Sequence, residues 1–456
     1  MMPDSSSEQF VRGSCDVDQT CGKEHHPNKS KETFIWLWIG QLVSNLGTQT
    51  SLYGIGLWLF SKTQLLYDFA LVALVVQLAR IIVLPLLANR LTTWSRRRVM
   101  LIANGIGAVC TFALAMLLLR DDFLAPLSLL LFVQSVAAMS EAALILSFST
   151  LIPVLIVDRK ELIRANGLFA TTDSLVLTMA PFFGAWFSGL FGLRGVLTLD
   201  GCSFFIALTC VLASPWSRKF VVPSKALHQW QGFDLIQGWN MMQTLLTKSP
   251  FSRIALVIST SVAFSYAATE ILFPAWVAVA YGTSQMALVI IVAALGYIFG
   301  FWLWREKIGV NWQRVWFIVI LIQAMILMGA GLQVFAERPL IWFGGVFVFS
   351  SGLPIVMSSI QQAWSQLASA KDLPRIFALR YTFEWSARLL AFLVVSLSVD
   401  LVLKPALTWP HLPTWLQASL GVGNGRYIAV ALGGVGWILV FAIWSQIQNL
   451  RSIRQI

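Results

Sequence analysis

The sequence is poor in charged residues: Asp, Glu, Lys and Arg make up only 12% of its 456 residues. A soluble domain carries about 25% charged residues, because water must solvate its surface. The rest of the composition is strongly apolar, with 57% hydrophobic residues and a mean hydropathy of +0.74. Most of the surface must therefore contact lipid, which excludes a soluble globular protein.

Residue types that carry catalysis or metal binding are also scarce, with four histidines and five cysteines in the whole chain. Cys15, Cys21, His25 and His26 lie close together in the N-terminal tail, but their spacing fits no standard zinc pattern. No Gly-x-x-x-x-Gly-Lys-Ser/Thr loop is present, which argues against a nucleotide-driven pump. We predict that the chain is not an enzyme and holds neither a metal nor a cofactor.

Long apolar runs dominate the rest of the sequence. A helix spans a bilayer with about 20 apolar residues, and runs of that length recur from Phe34 to Trp444, many of them ending in tryptophan. Tryptophan anchors helix ends at the headgroup level. We predict an all-α integral membrane protein with twelve spans, at 34–60, 69–89, 99–119, 126–151, 167–191, 195–213, 251–280, 285–304, 315–335, 340–367, 376–403 and 426–447.

The distribution of lysine and arginine predicts the orientation of these spans. With both termini on one side, that side carries 24 Lys and Arg, the other side carries six, and two lie within spans. Cytoplasmic loops are enriched in Lys and Arg. We therefore predict a multi-pass protein of the plasma (cell inner) membrane with both termini in the cytoplasm. Because the basic residues lie in short segments beside apolar runs, the net charge of +11 does not indicate nucleic-acid binding.

The two halves of the chain repeat the same pattern. A basic loop at 90–98 recurs at 305–314, and the acidic and basic residues near 158–160 recur near 371–372. Duplicated bundles of this type hold their substrate near the midplane between the halves. The predicted organisation is a disordered tail (1–33), a six-helix bundle (34–213), a central cytoplasmic loop (214–250), a second six-helix bundle (251–448) and a short cytoplasmic tail (449–456).

The central loop carries an amphipathic pattern. Leu235, Trp239, Met242 and Leu246 fall on one helical face. Such a helix lies either on the inner membrane surface or against the cytoplasmic face of the helical bundles, and the sequence favours neither.

The segment LANRLTTWSRRR (87–98) resembles the motif between helices 2 and 3 of the major facilitator superfamily. The resemblance implies a twelve-helix transporter with two six-helix pseudo-repeats, and a gating role for Arg90 and Arg97. The superfamily usually has Gly and Asp where this chain has Ala88 and Asn89. The acidic residue commonly helps to latch the two halves together, so the resemblance implies a weakened or rewired latch here.

A narrower resemblance is to the bacterial branch that contains macrolide-efflux and siderophore-export permeases. It rests on WIGQLVSNLG (38–47), DRKELIRANG (158–167), GLRG (192–195) with Asp200 and Phe204-Phe205, and GNGR (423–426), which occur in that order. In APFFG (180–184), Pro181 and Gly184 resemble the antiporter motif of drug exporters. Ordinary use of Pro and Gly in a membrane helix is the alternative.

Charged residues inside the spans demand an explanation, because each costs at least about 2.5–3.5 kcal/mol at the centre of the bilayer. They are Arg80, Glu141, Asp173, Glu270, Glu384 and Arg388. In a functional interpretation, Glu141 or Glu270 carries a proton that exchanges against substrate, with Asp173 and Arg80 as further coupling candidates. In a structural interpretation, Arg80 pairs with an acid and Glu384 pairs with Arg388, four residues later. Asp68, Asp200 and Asp400 lie at span ends, where we predict that they are solvated.

Polar and aromatic residues at depth predict a substrate path, although single polar residues often only bond neighbouring helices. The candidates are Gln41, Asn45, Gln77, Gln134, Trp276 and Gln323. We predict a monomeric secondary active transporter that exports an amphipathic organic compound in exchange for protons. A proton-coupled importer or facilitator, and a non-transporting membrane scaffold or sensor, are the alternatives.

Overall fold

The computed structural model describes residues 27–63, 66–117, 127–156, 158–215, 243, 246–247, 250–280, 286–304, 312–331, 339–366, 373–407 and 426–454. The helices in these ranges are α1 Pro27–Thr63, α2 Leu66–Thr93, α3 Arg96–Leu117, α4 Leu127–Leu155, α5 Arg159–Ala213, α6 Pro250–Ala280, α7 Met286–Trp304, α8 Trp312–Gly331, α9 Pro339–Gln366, α10 Leu373–Leu397, α11 Lys404–Leu407 and α12 Arg426–Arg454. A π-helical segment, Ser398–Leu403, joins α10 to α11. Residues 1–26 of the predicted disordered tail (1–33) lie outside the described residues, whereas residues 27–33 are helical and begin α1. Most of the central loop, with its amphipathic pattern, also lies outside the described residues.

Twelve membrane crossings result from these helices, as predicted. The long helix α5 supplies two of them, because it reverses at Gly192, whose φ of 64° is non-helical. Glycine adopts this left-handed conformation without steric cost. Short α11 supplies none. Seven described segments are long and apolar enough to cross a membrane by themselves: Arg96–Leu117, Leu127–Leu155, Trp186–Ala213, Phe251–Phe273, Ile341–Gln366, Leu373–Leu407 and Arg426–Gln446.

Helix α1 runs antiparallel to the second arm of α5 (193–213). Thr33 donates a hydrogen bond to the Pro215 carbonyl near the start of α1, and Gly54, 21 residues later, packs against Leu193 at the opposite end of the arm. We call the end of the bundle where α1 begins the basic end, because Arg97 at the start of α3 and Lys31 on α1 lie there. The other end is called the distal end.

The helices form two halves, α1–α5 and α6–α12. In the first half α1 and α3 pack on α5, and α2 and α3 pack on α4. In the second half α6 and α8 pack on α12, and α7 packs on α9. The halves meet where α2 and α4 contact α10 and where α5 contacts α7 and α9. This is the arrangement of two facing six-helix bundles, with a space between them for a substrate.

Large apolar side chains cover the outer surface of the bundle. Ile82, Val109, Phe132, Trp437 and Phe441 are each more than half exposed. Water would disfavour so much exposed apolar surface, whereas lipid solvates it. The protein is therefore a multi-pass membrane protein.

Candidate functional site

A cavity of about 640 Å³ lies between the two halves. The first half contributes wall residues from α1, α2 and α5, and the second half contributes them from α6, α7, α8, α9, α10 and α12. On each of these helices the lining residues lie on the portion nearer the distal end: Gln49 to Gly56 on α1, for example, and Tyr266 to Trp276 on α6. The cavity therefore occupies the distal part of the bundle.

The basic end is closed by contacts between the halves. Gln361 of α9 donates a hydrogen bond from Nε2 to the Ser149 carbonyl of α4 over 3.4 Å. Gly167 of α5 lies so close to the Phe301 ring of α7 that an added Cβ would stand 3.2 Å from it. These contacts join the two halves at the basic end, and the cavity lies on the distal side of them.

An ionic network on α1, α2 and α4 forms the wall of the first half. Glu141, which is 5% exposed, accepts a charge-assisted hydrogen bond from Arg80 and a second one of 2.7 Å from Gln49 Nε2. Arg80 also donates to Gln77 Oε1 over 2.9 Å. The pairing predicted for Arg80 with an acid is confirmed, and it explains how both charges are tolerated within the bilayer.

Arg80 also touches the second half. Its guanidinium lies 5.9 Å from the ring centroid of Trp385 on α10, within the range of a cation–π interaction. Gln49, Gln77 and Arg80 line the cavity, whereas Glu141 lies behind them. The network therefore joins a buried carboxylate, the cavity and the opposite half.

A second ion pair lies on the other wall. Arg388 of α10 donates from Nη2 to Glu270 Oε2 of α6 over 2.7 Å, and both residues line the cavity. The Glu270 side chain is 36% exposed and the Arg388 side chain 19%. This pair is therefore more accessible than Arg80–Glu141, and it is placed to meet a charged group on a ligand.

Aromatic side chains form much of the remaining wall in the second half. Trp276 is buried, with its ring centroid 5.6 Å from Trp342, and Phe273 stacks on Trp342 at 5.7 Å. Tyr266 donates from its hydroxyl to Gln323 Oε1 over 2.8 Å. Gln323 in turn donates to the Phe349 carbonyl over 2.9 Å. Gln323 thus holds the wall in place from behind, while Tyr266 and Phe349 face the cavity.

Four of the six predicted substrate-path residues do not line this cavity: Gln323 lies behind its wall, and the other three lie elsewhere in the first half. Gln41, Asn45 and Gln134 are buried in the first half, away from its wall. The side chains of Asp173, Asn89, Arg90 and Pro181 lie outside the described part of the structure.

The two remaining gating candidates occupy packing positions. Arg97 donates to the Leu212 carbonyl over 3.3 Å at the basic end, which ties α3 to α5. Gly184 lies where α5 crosses α1, and an added Cβ would stand 2.9 Å from the Tyr53 ring.

Two predictions about charged residues are wrong. Glu384 does not pair with Arg388: it accepts from Arg380 Nε over 2.7 Å, while Glu270 takes Arg388. Asp200 is not solvated at a helix end; it is 2% exposed and accepts hydrogen bonds from hydroxyl groups of α1, α3 and α5. The turn at Gly192 places it about two helical turns below the distal end of α5.

The sequence reasoning missed Gln49, Trp385 and Arg380. Gln49 was identifiable, since Gln41, Asn45 and Gln49 recur every four residues and so share one helical face. Arg380 lies close to the start of the span predicted at 376–403 and was not among the charged residues expected at depth, yet it is 4% exposed and donates to Gln361 Oε1 over 2.6 Å. Trp385 has no polar spacing signal, and only the packing of α2 on α10 identifies it.

The family model of the Major Facilitator Superfamily matches residues 37–392 of the chain. The chain therefore belongs to this superfamily, and it is a membrane transporter rather than an enzyme. A search of curated proteins returned no significant match.

Solved structures support the fold. A bacterial homologue of the iron transporter ferroportin, in an outward-facing state, is 15% identical with a TM-score of 0.65 and covers 92% of this chain and 99% of its own. The human organic anion transporter MFSD10 is 14% identical with a TM-score of 0.62, covering 91% and 99%. The proton:xylose symporter XylE is 12% identical with a TM-score of 0.65, covering 92% and 96%. At these identities the likeness concerns the fold alone.

Proposed function

We propose that this protein is a secondary active transporter that exports an amphipathic organic compound, such as a drug, a natural product or a siderophore, in exchange for protons. The cavity supports this proposal by size and character. Its volume of about 640 Å³ falls within the roughly 300–1,000 Å³ of sites for drug-sized molecules. Its aromatic wall suits an apolar body, and the Glu270–Arg388 pair suits a charged group. The sequence resemblance to macrolide and siderophore exporters points to the same class of substrate.

We further propose that the protein lies in the plasma (cell inner) membrane with its basic end, and both termini, on the cytoplasmic side. This orientation follows the excess of Lys and Arg there. In this orientation the cavity lies toward the outer side, where an exporter releases its substrate and takes up a proton. Alternating access requires the contacts at the basic end to open as the distal cavity closes.

Glu141 is the proposed proton carrier, and the observation that carries the proposal is its network with Arg80. When Glu141 takes up a proton, Arg80 loses its charged partner. Breaking a buried ion pair in this way costs about 3–5 kcal/mol, which is enough to shift a conformational equilibrium of a few kcal/mol. Arg80 keeps its contacts with Gln77 and Trp385 but can find a new charged partner only by moving, and Trp385 transmits this movement to the second half.

We propose that Glu270 and Arg388 bind the charged group of the substrate. Their pair lies on the cavity wall and is partly exposed, so an ionic group of the substrate can replace one partner without entering a fully buried site. Glu141, which lies behind the wall, cannot be reached in the same way. This division separates coupling in the first half from substrate contact in the second.

Proteoliposomes test the proposal with purified protein, a pH gradient and a fluorescent macrolide or a siderophore as the transported compound. Glu141→Gln should abolish acceleration by the gradient but preserve exchange of labelled for unlabelled substrate at equal pH. Glu270→Gln should raise the KM with a smaller effect on the maximal rate. Glu161→Gln is the matched control, because Glu161 pairs with Lys31 and Arg164 at the basic end, away from the cavity.

Other outcomes would overturn particular parts of the proposal. Gradient-driven flux that survives Glu141→Gln removes Glu141 as the proton carrier. Substrate and proton movement in the same direction indicates an importer, and flux that ignores the gradient indicates a facilitator. No flux of any compound tested favours the scaffold or sensor alternative.

A further inference from the structure

Asp200 is a buried acid that the proposed transport cycle does not use. It lies on the second arm of α5, is 2% exposed and is not part of the cavity wall. No Lys, Arg or His among the described residues forms an ion pair with it. A buried charge without a partner costs several kcal/mol, so this carboxylate calls for a positive counterpart.

Hydroxyl groups surround the carboxylate. Thr48 and Ser51 come from α1, Thr111 from α3 and Ser203 from α5. Together with Asp200 they present six oxygen atoms from three helices. An all-oxygen set of this kind is the one that hard cations select.

The spacing of these oxygens separates ion coordination from ordinary hydrogen bonding. Three of the four hydroxyl oxygens lie 3.3, 3.3 and 3.4 Å from a carboxylate oxygen, whereas the fourth, Ser51 Oγ, lies at 2.6 Å. A hydroxyl that donates to an oxygen normally lies about 2.5–3.0 Å from it. Two adjacent ligands of an ion, each about 2.4 Å from it and at right angles, are about 3.4 Å apart. The longer separations of Thr48 and Thr111 match this second arrangement. The Ser203 hydroxyl donates to the Asp200 main-chain carbonyl over 2.7 Å, which leaves lone pairs of its oxygen available to an ion.

We propose that Asp200, Thr48, Ser51, Thr111 and Ser203 form a binding site for a sodium ion. One carboxylate neutralises one monovalent charge, so a divalent ion would remain under-compensated. Sodium has nearly the radius of calcium, for which the 2.4 Å distance holds, while potassium is larger and requires a wider spacing. The α1 side of the site leaves no room for a larger ion, because a Cβ added at Gly47 would stand 2.7 Å from Asp200 Oδ1.

The bound ion ties α1 to α3 and α5, and α1 also carries Gln49 of the coupling network. Thr48 and Ser51 bond Asp200 while Gln49, between them in sequence, bonds Glu141. Sodium therefore fixes the position of α1 and, through it, of Gln49. The proposal does not depend on proton coupling, because ion binding is measurable without substrate or flux.

Thermal unfolding of the purified full-length protein in detergent tests the site. The melting temperature is followed by tryptophan fluorescence while NaCl replaces choline chloride at constant ionic strength, with KCl as a parallel series. Saturating sodium should raise the melting temperature by roughly 5 °C, and potassium should have little effect. Asp200→Asn should remove the sodium response. Thr111→Val, which keeps the charge and removes one ligand, should raise the half-maximal sodium concentration severalfold.

Asp158→Asn is the matched control, because Asp158 is exposed and caps the start of α5 at the basic end; its sodium response should equal that of the wild type. An equal response to sodium, potassium and choline would overturn the proposal, as would a sodium response that persists in Asp200→Asn. A melting temperature that does not respond to sodium, but depends on pH in the wild type and not in Asp200→Asn, would overturn the proposal and show that the site holds a proton. If Asp200→Asn does not fold, the wild-type cation series and Thr111→Val decide the question.

Discussion

Gln361 bonds the two halves to each other at the basic end, and its replacement by leucine tests how much this bond contributes to closure. Gln361 is buried and bonds in two directions: its oxygen accepts from Arg380 within the second half, and its amide nitrogen donates to the Ser149 carbonyl of the first half. Leucine has a similar volume but makes neither bond. Arg380 keeps Glu384 as a partner, so the loss that matters for gating is the bond between the halves.

The expected magnitude follows from that one bond. A neutral hydrogen bond contributes about 0.5–1.5 kcal/mol net, and at 3.4 Å the bond to Ser149 is long. The population of states open at the basic end should therefore rise roughly two- to tenfold. Spin labels placed on the two halves at the basic end, measured by double electron–electron resonance, report this population as a longer-distance component.

Gln323→Leu is the matched control for this experiment. Gln323 is equally buried and also makes two hydrogen bonds, but both partners belong to the second half. Its replacement should leave the distance distribution at the basic end unchanged. An unchanged distribution in Gln361→Leu, or an equal change in both variants, would refute the idea that this bond helps to close the basic end.

Two further predictions concern stability. Gly47→Ala should lower the melting temperature by several degrees, because the new Cβ would stand 2.7 Å from Asp200 Oδ1 and overpacking costs roughly 1–3 kcal/mol. Gly105→Ala is the control and should not lower the melting temperature, because open space surrounds Gly105. Equal melting temperatures of the two variants would contradict the packing argument. Arg80→Gln should destabilise the protein by about 3–5 kcal/mol in chemical denaturation, because it leaves Glu141 buried without its charged partner. The double variant Arg80→Gln/Glu141→Gln should recover much of this lost stability. If the double variant loses as much stability as the two single variants added together, the ion pair is not the cause.

The crossings could be predicted because lipid imposes a simple requirement of length and composition on each helix. The structure places helix bounds within a few residues of most predicted ones, although α1 begins at Pro27 rather than Phe34. Arg80 was predictable for a related reason, since a charge at that depth must have a partner. Which acid serves as that partner depends on the packing of α2 on α4, which no local pattern reports.

The pairing of charged residues on α10 shows most clearly what sequence spacing cannot predict. Arg380 and Arg388 both lie four residues from Glu384, one on each side, so sequence spacing makes the two pairings equivalent. The structure distinguishes them because Glu270 of α6 binds Arg388, which leaves Glu384 to Arg380. The prediction that Asp200 is solvated is wrong for a different reason. Its distance from the span end does not determine its burial; its position on the face that α5 turns toward α1 does.

The position of α10 gives these pairings a common consequence. This one helix carries Arg380 at the closed basic end, Trp385 against the first half and Arg388 on the cavity wall. Arg380 and Arg388 are eight residues apart, about 12 Å along the axis, and no break interrupts the helix between them. A substrate group that pulls on Arg388 beyond the reach of its side chain therefore displaces this part of α10 as one unit. Displacement would reach Gln361 through Arg380 and Arg80 through Trp385, so the occupancy of the cavity and the closure of the basic end are expected to be linked through α10.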